Sequence, residues 1–298
     1  MQILRNSGLS LSLLTGILLT GCSTENTKTY EVSVTAIPEE GGTIEPNGGT
    51  YSDGEEISLT AVPSNGWQFM RWEGDLLGSD NPGQVIVDDA KDVVAIFATL
   101  SEPVTDIDEN VYKTVQIGEQ VWMAENLKVT RYRNGDAISN VTNSDTWNEL
   151  DSGAWVYYNN NESNNDVYGK LYNWYAAADS RGVCPEGWRV PTDIDWIALS
   201  SHLGGESVAG GKMKATGTQY WQSPNTGATN ESGFTALAAG GRDPSGGFDF
   251  QGTFAAFWSS TERTSTLAWY YAIDYDNSVL NRYNYTKSLG FSIRCLRD

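Results

Sequence analysis

The chain has 298 residues, with 38 acidic side chains against 19 basic ones, a formal charge of −19, one histidine and three cysteines. A metal site needing two histidines or four cysteines cannot form within one chain, and a Ser-His-Asp triad would have to use His202. So negative a balance argues against nucleic-acid binding, which needs Lys and Arg on phosphates, and 11 Trp with 15 Tyr argue against disorder.

Arg5 gives the N-terminus a short positive region, and Leu9 to Leu19 are apolar apart from Ser, Thr and Gly. About eleven such positions fall short of the roughly 20 that a spanning helix needs, so residues 1–21 read as an export signal. The segment ends in Leu19-Thr20-Gly21-Cys22, which resembles the bacterial lipobox. That resemblance implies cleavage before Cys22, acylation of the Cys22 thiol, and a membrane partner reached through the lipid. Ser23 replaces the Asp that holds such proteins in an inner membrane, so the expected location is the outer membrane. Residues 22–29, small and polar, form the tether.

From Tyr30 the pattern changes to alternation. Val32, Val34 and Ala36 form one period-two run; Ile57, Leu59 and Ala61 form another, followed by Val85 with Val87 and by Val93, Ala95 and Phe97. Turn clusters such as Glu39-Glu40-Gly41-Gly42 and Asp53-Gly54 separate them, which predicts short antiparallel strands around Trp67, Phe69 and Trp72 over residues 30–99. Gly41-Gly42-Thr43-Ile44, Tyr51-Ser52-Asp53-Gly54-Glu55, Phe69-Met70-Arg71-Trp72 and Ala95-Ile96-Phe97 resemble the divergent internalin-type B repeat. That resemblance implies a small β-grasp-like module, a spacer or weak contact surface with no catalytic residue. From Tyr30 to Thr105 there are 14 acids against Arg71 and Lys91, a net of −12. Such a surface either repels anionic neighbours and binds cations diffusely, or simply keeps a tethered protein soluble. Residues 100–111, poor in apolar side chains, read as a linker.

The remaining 112–298 open with a hairpin at Val115–Met123 around Gly118-Glu119. Thr142 to Asp166 read as loop, and Tyr168 to Ala178 as one short helix with Leu171, Trp174 and Tyr175 on one face. Thr192 at an N-cap and Asp195 three residues on form a capping box, with Trp196, Leu199 and Leu203 as the apolar stripe and Gly204-Gly205 as the stop, so 193–203 is predicted helical. His202 falls late in that helix, on its surface. Residues 210–252 are glycine-rich and irregular, and strands are predicted at 256–261, 268–273, 279–283 and 290–296.

Five motifs here, among them Tyr168-Gly169-Lys170-Leu171-Tyr172-Asn173-Trp174, Cys184-Pro185-Glu186-Gly187-Trp188, Trp258-Ser259-Ser260-Thr261 and Gly290-Phe291-Ser292-Ile293-Arg294-Cys295, resemble the Fibrobacter succinogenes major paralogous domain. The resemblance implies an exported lipoprotein and a layout similar to the C-type-lectin-like fold, which the formylglycine-generating enzymes share. The expected fold class is thus α+β: a small β-grasp-like repeat module followed by a C-type-lectin-like α+β domain. Once Cys22 is lipidated, Cys184 and Cys295 remain. An even remainder in an exported chain suggests a disulfide, matching the long bridge of C-type-lectin-like folds; the rival is a copper-binding pair like that of the formylglycine-generating enzymes.

No cofactor is expected. Ser223-Pro224-Asn225 lacks the acid that C-type lectins place before the proline, and the weak calcium candidates are Asp274, Asp276 and Asn277 in an oxygen-rich turn. No catalytic residue stands out. Tyr220, Trp221, Asn225, Arg242, Asp243 and Asp249 fall in the long irregular region, where aromatic faces with amide and carboxylate groups suit sugar recognition; equally, Trp221 and its neighbours could pack the loop onto the core. The expected function is an outer-membrane-anchored, non-enzymatic surface protein binding glycan or protein ligands. The alternatives are an enzyme on a formylglycine-generating-type scaffold, a carbohydrate hydrolase, or a structural envelope component.

Overall fold

A computed structural model describes residues 28–298. The expected signal and Cys22 lie outside the described residues. In the module, strands β1 (Thr29–Ile37), β2 (Gly42–Glu45), β3 (Gly49–Ser52), β4 (Glu55–Pro63), β5 (Trp67–Gly74), β6 (Gly83–Val87) and β7 (Lys91–Thr105) build two sheets. One runs β3–β1–β7 with β5 also on β7; the other runs β2–β4–β6. The alternation predicted from sequence is what fills the space between them: Val32, Ile57, Leu59, Ala61, Val85, Val87, Val93, Ala95 and Phe97 are all buried around Trp72. The core closes sheet on sheet, and the one helical turn of the described module is the three-residue Glu39–Gly41. Gly41 and Gly42 are needed there, since a Cβ on either would lie 2.5 Å from the Phe97 side chain.

The segment expected as a linker is strand instead. β7 continues to Thr105 and pairs with β8 (Val111–Ile117), which hairpins into β9 (Gln120–Met123). One eight-stranded sheet therefore runs from the module into the head. The sequence misled because a strand supported by its ladder needs few apolar side chains, and because the acidic residues after it are turn chemistry. Asp106 accepts the amides of Asp108 and Asn110 at 2.9 and 3.0 Å and the Tyr112 hydroxyl at 2.6 Å, closing the turn from β7 to β8. Ser79 Oγ donates to Thr216 Oγ1 at 2.9 Å, a second link between the two parts.

The head adds β10 (Ser139–Asn140), β11 (Ala154–Val156), β12 (Leu171–Tyr172), β13 (Trp188–Arg189), β14 (Gly241–Arg242), β15 (Phe248–Asp249), β16 (Phe254–Glu262), β17 (Leu267–Asp274), β18 (Leu280–Thr286) and β19 (Leu296–Arg297). Its helices are short: α1 (Ser144–Asn148), α2 (Asn165–Tyr168), α3 (Trp174–Ala177), α4 (Asp193–His202) and α5 (Glu206–Met213). The chain is thus mostly β with short helices, the described α-helices all lying in the head. The predicted capping box is present in α4, where Thr192 and Asp195 exchange side-chain and backbone bonds. Trp196 of α4 stacks on Tyr271 with ring centroids 5.1 Å apart and meets Trp122 at 4.8 Å, which makes it the hub of one core. His202 ends α4 exposed, as expected.

Three local expectations change. The single helix over 168–178 is α2, a strand and α3. Gly169 at φ +70° breaks the first, and Asn173 accepts the Ala176 amide to start the last. The region from 210 begins inside α5, whose Gly210 and Gly211 lie where a Cβ would meet the carbonyls of Val279 and Gly227 at 2.4 Å. The strand expected over 290–296 is reduced to β19, because Phe291 and Ser292 make only isolated bridges.

Cys184 and Cys295 are bonded, with Cα atoms 5.9 Å apart, in a second core that also holds Trp258 and Phe291. The bridge closes 111 residues, for which the chain-entropy argument gives roughly 5 kcal/mol. Replacing both cysteines with alanine is expected to lower the melting temperature by roughly 10–20 °C. Calorimetry of the parent with and without reductant should show a fall of the same size; a double variant as stable as the oxidised parent would contradict this account.

Candidate functional site

The three-stranded sheet β16–β17–β18 has two aromatic faces. Its register sets Phe254 opposite Asp274, Trp258 opposite Tyr270, Tyr270 opposite Tyr283, and Ala268 opposite Tyr285. Residues of the other parity, Phe257, Tyr271, Ile273 and Leu280, fill the core around Trp196. The first face is covered only in part, and a cleft of about 530 Å³ opens over it. Its rings are Phe250, Phe254, Tyr270, Tyr275, Tyr285 and Phe291. Centroids run 6.1 Å from Phe250 to Phe254, 6.3 Å on to Phe291 and 4.7 Å on to Tyr270, a continuous aromatic floor from rim to base.

Three carboxylates, Asp243, Asp249 and Asp274, share the lining. The β14–β15 hairpin brings the first two. Burial alone would raise the Asp243 carboxyl, but the Ser245 hydroxyl at 2.7 Å and the Gly247 amide at 2.9 Å outweigh it and hold it below the usual range. Asp274, at the end of β17, differs. Burial, joined by the charge of Asp276, raises it despite Lys214, and its side chain receives only a 3.3 Å bond from Asn281. A carboxylate held against rings with so little compensation is a feature that folding alone does not call for.

Phe250 is the rim residue. It adopts φ +67°, an outlier for a bulky side chain, and 65% of it is exposed. Its carbonyl holds the Thr253 and Phe254 amides at 3.0 Å each, so a tight turn projects the ring outward. A strained, exposed aromatic at a cavity mouth is the geometry expected of a contact residue.

Of the residues expected from sequence, Asp243 and Asp249 reach this cleft. Arg242 lines it through its backbone while its side chain is fully buried. The guanidinium donates to Val141 O at 2.6 Å and Thr142 O at 3.1 Å, lies 4.4 Å from the Trp147 centroid, and is pushed down to about 10 by burial. Trp221 is buried, its Nε1 donating to Ala236 O at 2.9 Å, and Asn225 is buried, donating to Ala215 O and Gly217 O at 3.0 and 2.8 Å. These three are packing residues, because loop carbonyls without a ladder need donors. Tyr220 is half-buried against Tyr168, 6.3 Å between centroids, beside a separate shallow depression.

The turn that carries the weak calcium candidates Asp274, Asp276 and Asn277 packs on a lysine. The carbonyls of Thr226, Asp274 and Asn277 converge on Lys214 Nζ at 2.9, 3.1 and 2.9 Å. Two backbone carbonyls of the turn, with that of Thr226, thus hold the chain's own ammonium. No cluster of three or more His, Cys, Asp or Glu positioned for a metal occurs among the described residues. Sequence reasoning missed Phe250, Phe254, Tyr270, Tyr275, Tyr285 and Phe291. Sorting β17 and β18 by parity would have placed Tyr270, Asp274, Tyr283 and Tyr285 together on one face.

Two family models match the chain. The Fibrobacter succinogenes major domain matches residues 115–297, and the divergent InlB B-repeat domain matches residues 21–101. No curated protein and no solved structure gives a match.

Folding favours the protonated form of Asp274. That contribution is complete below the usual aspartate value, about pH 4, and is lost as pH rises through the raised one, so the ionised group detracts from stability at neutral pH. Asp274→Asn is expected to melt a few degrees above the parent at neutral pH, with the difference shrinking as pH falls toward about 4. Thermal melts of the pair across this range check it, and a variant less stable at neutral pH refutes it.

Proposed function

The chain belongs to the Fibrobacter succinogenes major domain family, and within that family we propose that it is an exported, lipid-anchored binding protein whose head recognises saccharides without turning them over. The observation that carries this reading is the cleft over β16–β18: a floor of rings, a rim aromatic in a strained turn, and carboxylate acceptors between them. Sugars offer apolar C–H faces that stack on rings and hydroxyls that donate to carboxylates. A pocket of a few hundred cubic ångströms, mostly apolar with a few polar groups, is the usual form of a small-ligand site. The volume suits one or two sugar units, with the rest of a chain running past Phe250.

The rest of the molecule has the order such a role asks for. Leu19-Thr20-Gly21-Cys22 supplies the anchor, on the outer membrane by the identity of Ser23. The acidic β module follows as a spacer, and the head is last. No helix among the described residues is long and apolar enough to cross a membrane. Attachment in this reading therefore rests on the acyl chains, which bind in proportion to their length, about 0.8 kcal/mol per buried CH2.

Binding of the full-length chain in detergent to an immobilised glycan panel tests the head. Phe250→Ala and Tyr285→Ala are each expected to weaken the best ligand by about tenfold, equivalent to about 1.4 kcal/mol, with melting temperatures close to the parent's. A panel without binding, or ligands indifferent to both variants, would refute the reading. For the anchor, metabolic palmitate labelling is expected in the parent and absent in Cys22→Ala; label that survives the substitution would refute lipidation at Cys22.

A further inference from the structure

Throughout the head, aromatic faces and cations go together. Lys170 Nζ lies 4.8 Å from the Trp155 centroid, Lys287 Nζ 4.3 Å from Trp174, and the Arg282 guanidinium 3.5 Å from Trp269. Arg242 covers Trp147, Arg294 covers Phe234, and Lys214 lies 5.4 Å from Trp221. A ring quadrupole attracts positive charge, and the attraction grows as water is excluded.

The cleft over β16–β18 departs from this pattern. Among the described residues no cation lies over Phe250, Phe254, Tyr270, Tyr275, Tyr285 or Phe291. Nor does Asp243, Asp249 or Asp274 make an ion pair with any described side chain. The nearby positive groups are committed elsewhere. Arg242 points away into Val141 and Thr142, and the Lys214 ammonium is enclosed by carbonyls, touching Asp274 through its backbone oxygen. Rings and carboxylates are assembled, and no described side chain places the cation they suit over them.

We propose that the cleft is an ammonium site, and that the saccharide it takes carries a protonated amine seated over the Tyr270–Phe291 floor among Asp243, Asp249 and Asp274. The inference rests on the saccharide reading above and narrows it to amino sugars with free amines. A neutral sugar would satisfy the rings but leave the three carboxylates without an ion-pair partner, and an anionic sugar would be repelled by them. An acetylated amine loses its charge and adds bulk where the ammonium fits.

Titration calorimetry of the full-length chain in detergent tests this with three tetrasaccharides: glucosamine, N-acetylglucosamine and glucose. The glucosamine tetramer is expected to bind at least tenfold tighter than the other two, and tetramethylammonium chloride should displace it where sodium chloride of equal strength does not. Asp249→Asn, at an exposed position, and Asp274→Asn should each reduce the preference by severalfold while leaving the melt cooperative. Equal or tighter binding of the acetylated or glucose tetramer would overturn the ammonium inference and leave the saccharide reading standing. Binding of tetramethylammonium alone would support the ammonium site and remove the sugar. Silence from all four probes would overturn both.

Discussion

The head depends on a constraint that regular sheets do not face. Most of its chain runs outside helices and strands, so its backbone carbonyls have no ladder to accept from, and an unpaired buried carbonyl costs about 1–3 kcal/mol. Among the described residues five buried cations answer this need, Lys287 with the single carbonyl of Ser265 at 2.9 Å and the other four with several acceptors. Lys170 takes Lys128 O at 2.5 Å and Asn165 Oδ1 at 2.8 Å, and Lys214 takes three carbonyls. Arg242 takes Val141 O and Thr142 O, and Arg294 takes Phe234 O, Thr235 O and Asn126 Oδ1. A cation with several donors can gather carbonyls from strands far apart in sequence, which a neutral donor cannot match. Burial pushes Lys170 and Lys214 down to about 8 and Arg294 down to about 9, while the converging carbonyls and the ring beneath each favour the charged form.

These clamps also shape the cleft. Arg242 fixes the hairpin that carries Asp243 and Asp249, through two carbonyls a hundred residues away. Lys214 fixes the turn after β17, which carries Asp274 and Tyr275. The two walls of the cleft are therefore each held from behind by a buried cation, and the floor between them is a sheet. A site whose walls are already ordered loses little freedom when a ligand enters, which is where affinity in a small cleft comes from.

The same constraint explains what could be read from the sequence. The capping box at Thr192 and Asp195 was legible because its partners lie three residues apart. The strands of the module were legible because alternation survives wherever one face is buried. Cys184 and Cys295 were legible as a pair by count. For Arg242, Trp221 and Asn225 the sequence leaves a binding surface and packing of the loop onto the core equally open, because a charge beside aromatics and amides has the same composition facing inward or outward. The direction depends on carbonyls contributed by distant segments, Val141 for Arg242 and Ala236 for Trp221, which no local pattern announces. The turn at 274–277 shows the same limit from the other side. Its backbone carbonyls, which any residue would supply, meet Lys214, sixty residues earlier. Phe250 and Phe291 were invisible as a pair for that reason too, being joined only through β16 and the packing of Phe254.

The acidity of the chain bears on the cleft less directly than its size suggests. The module's net charge of −12 attracts any cation, but exposed charges are screened over about 8 Å at physiological salt and discriminate little among cations. Among the carboxylates of the cleft Asp249 is exposed, whereas Asp274 is half-buried at a cost in its ionisation. There the effective dielectric is lower and a charge at contact distance is worth several times its value in solvent. In the proposed site a diffuse field would bring cations near, and shape and ring faces would decide which one stays. The two effects separate by their response to salt: the diffuse field fades as salt is added, whereas contacts over β16–β18 at short range are screened much less, which is what distinguishes the proposed site from the charge of the whole.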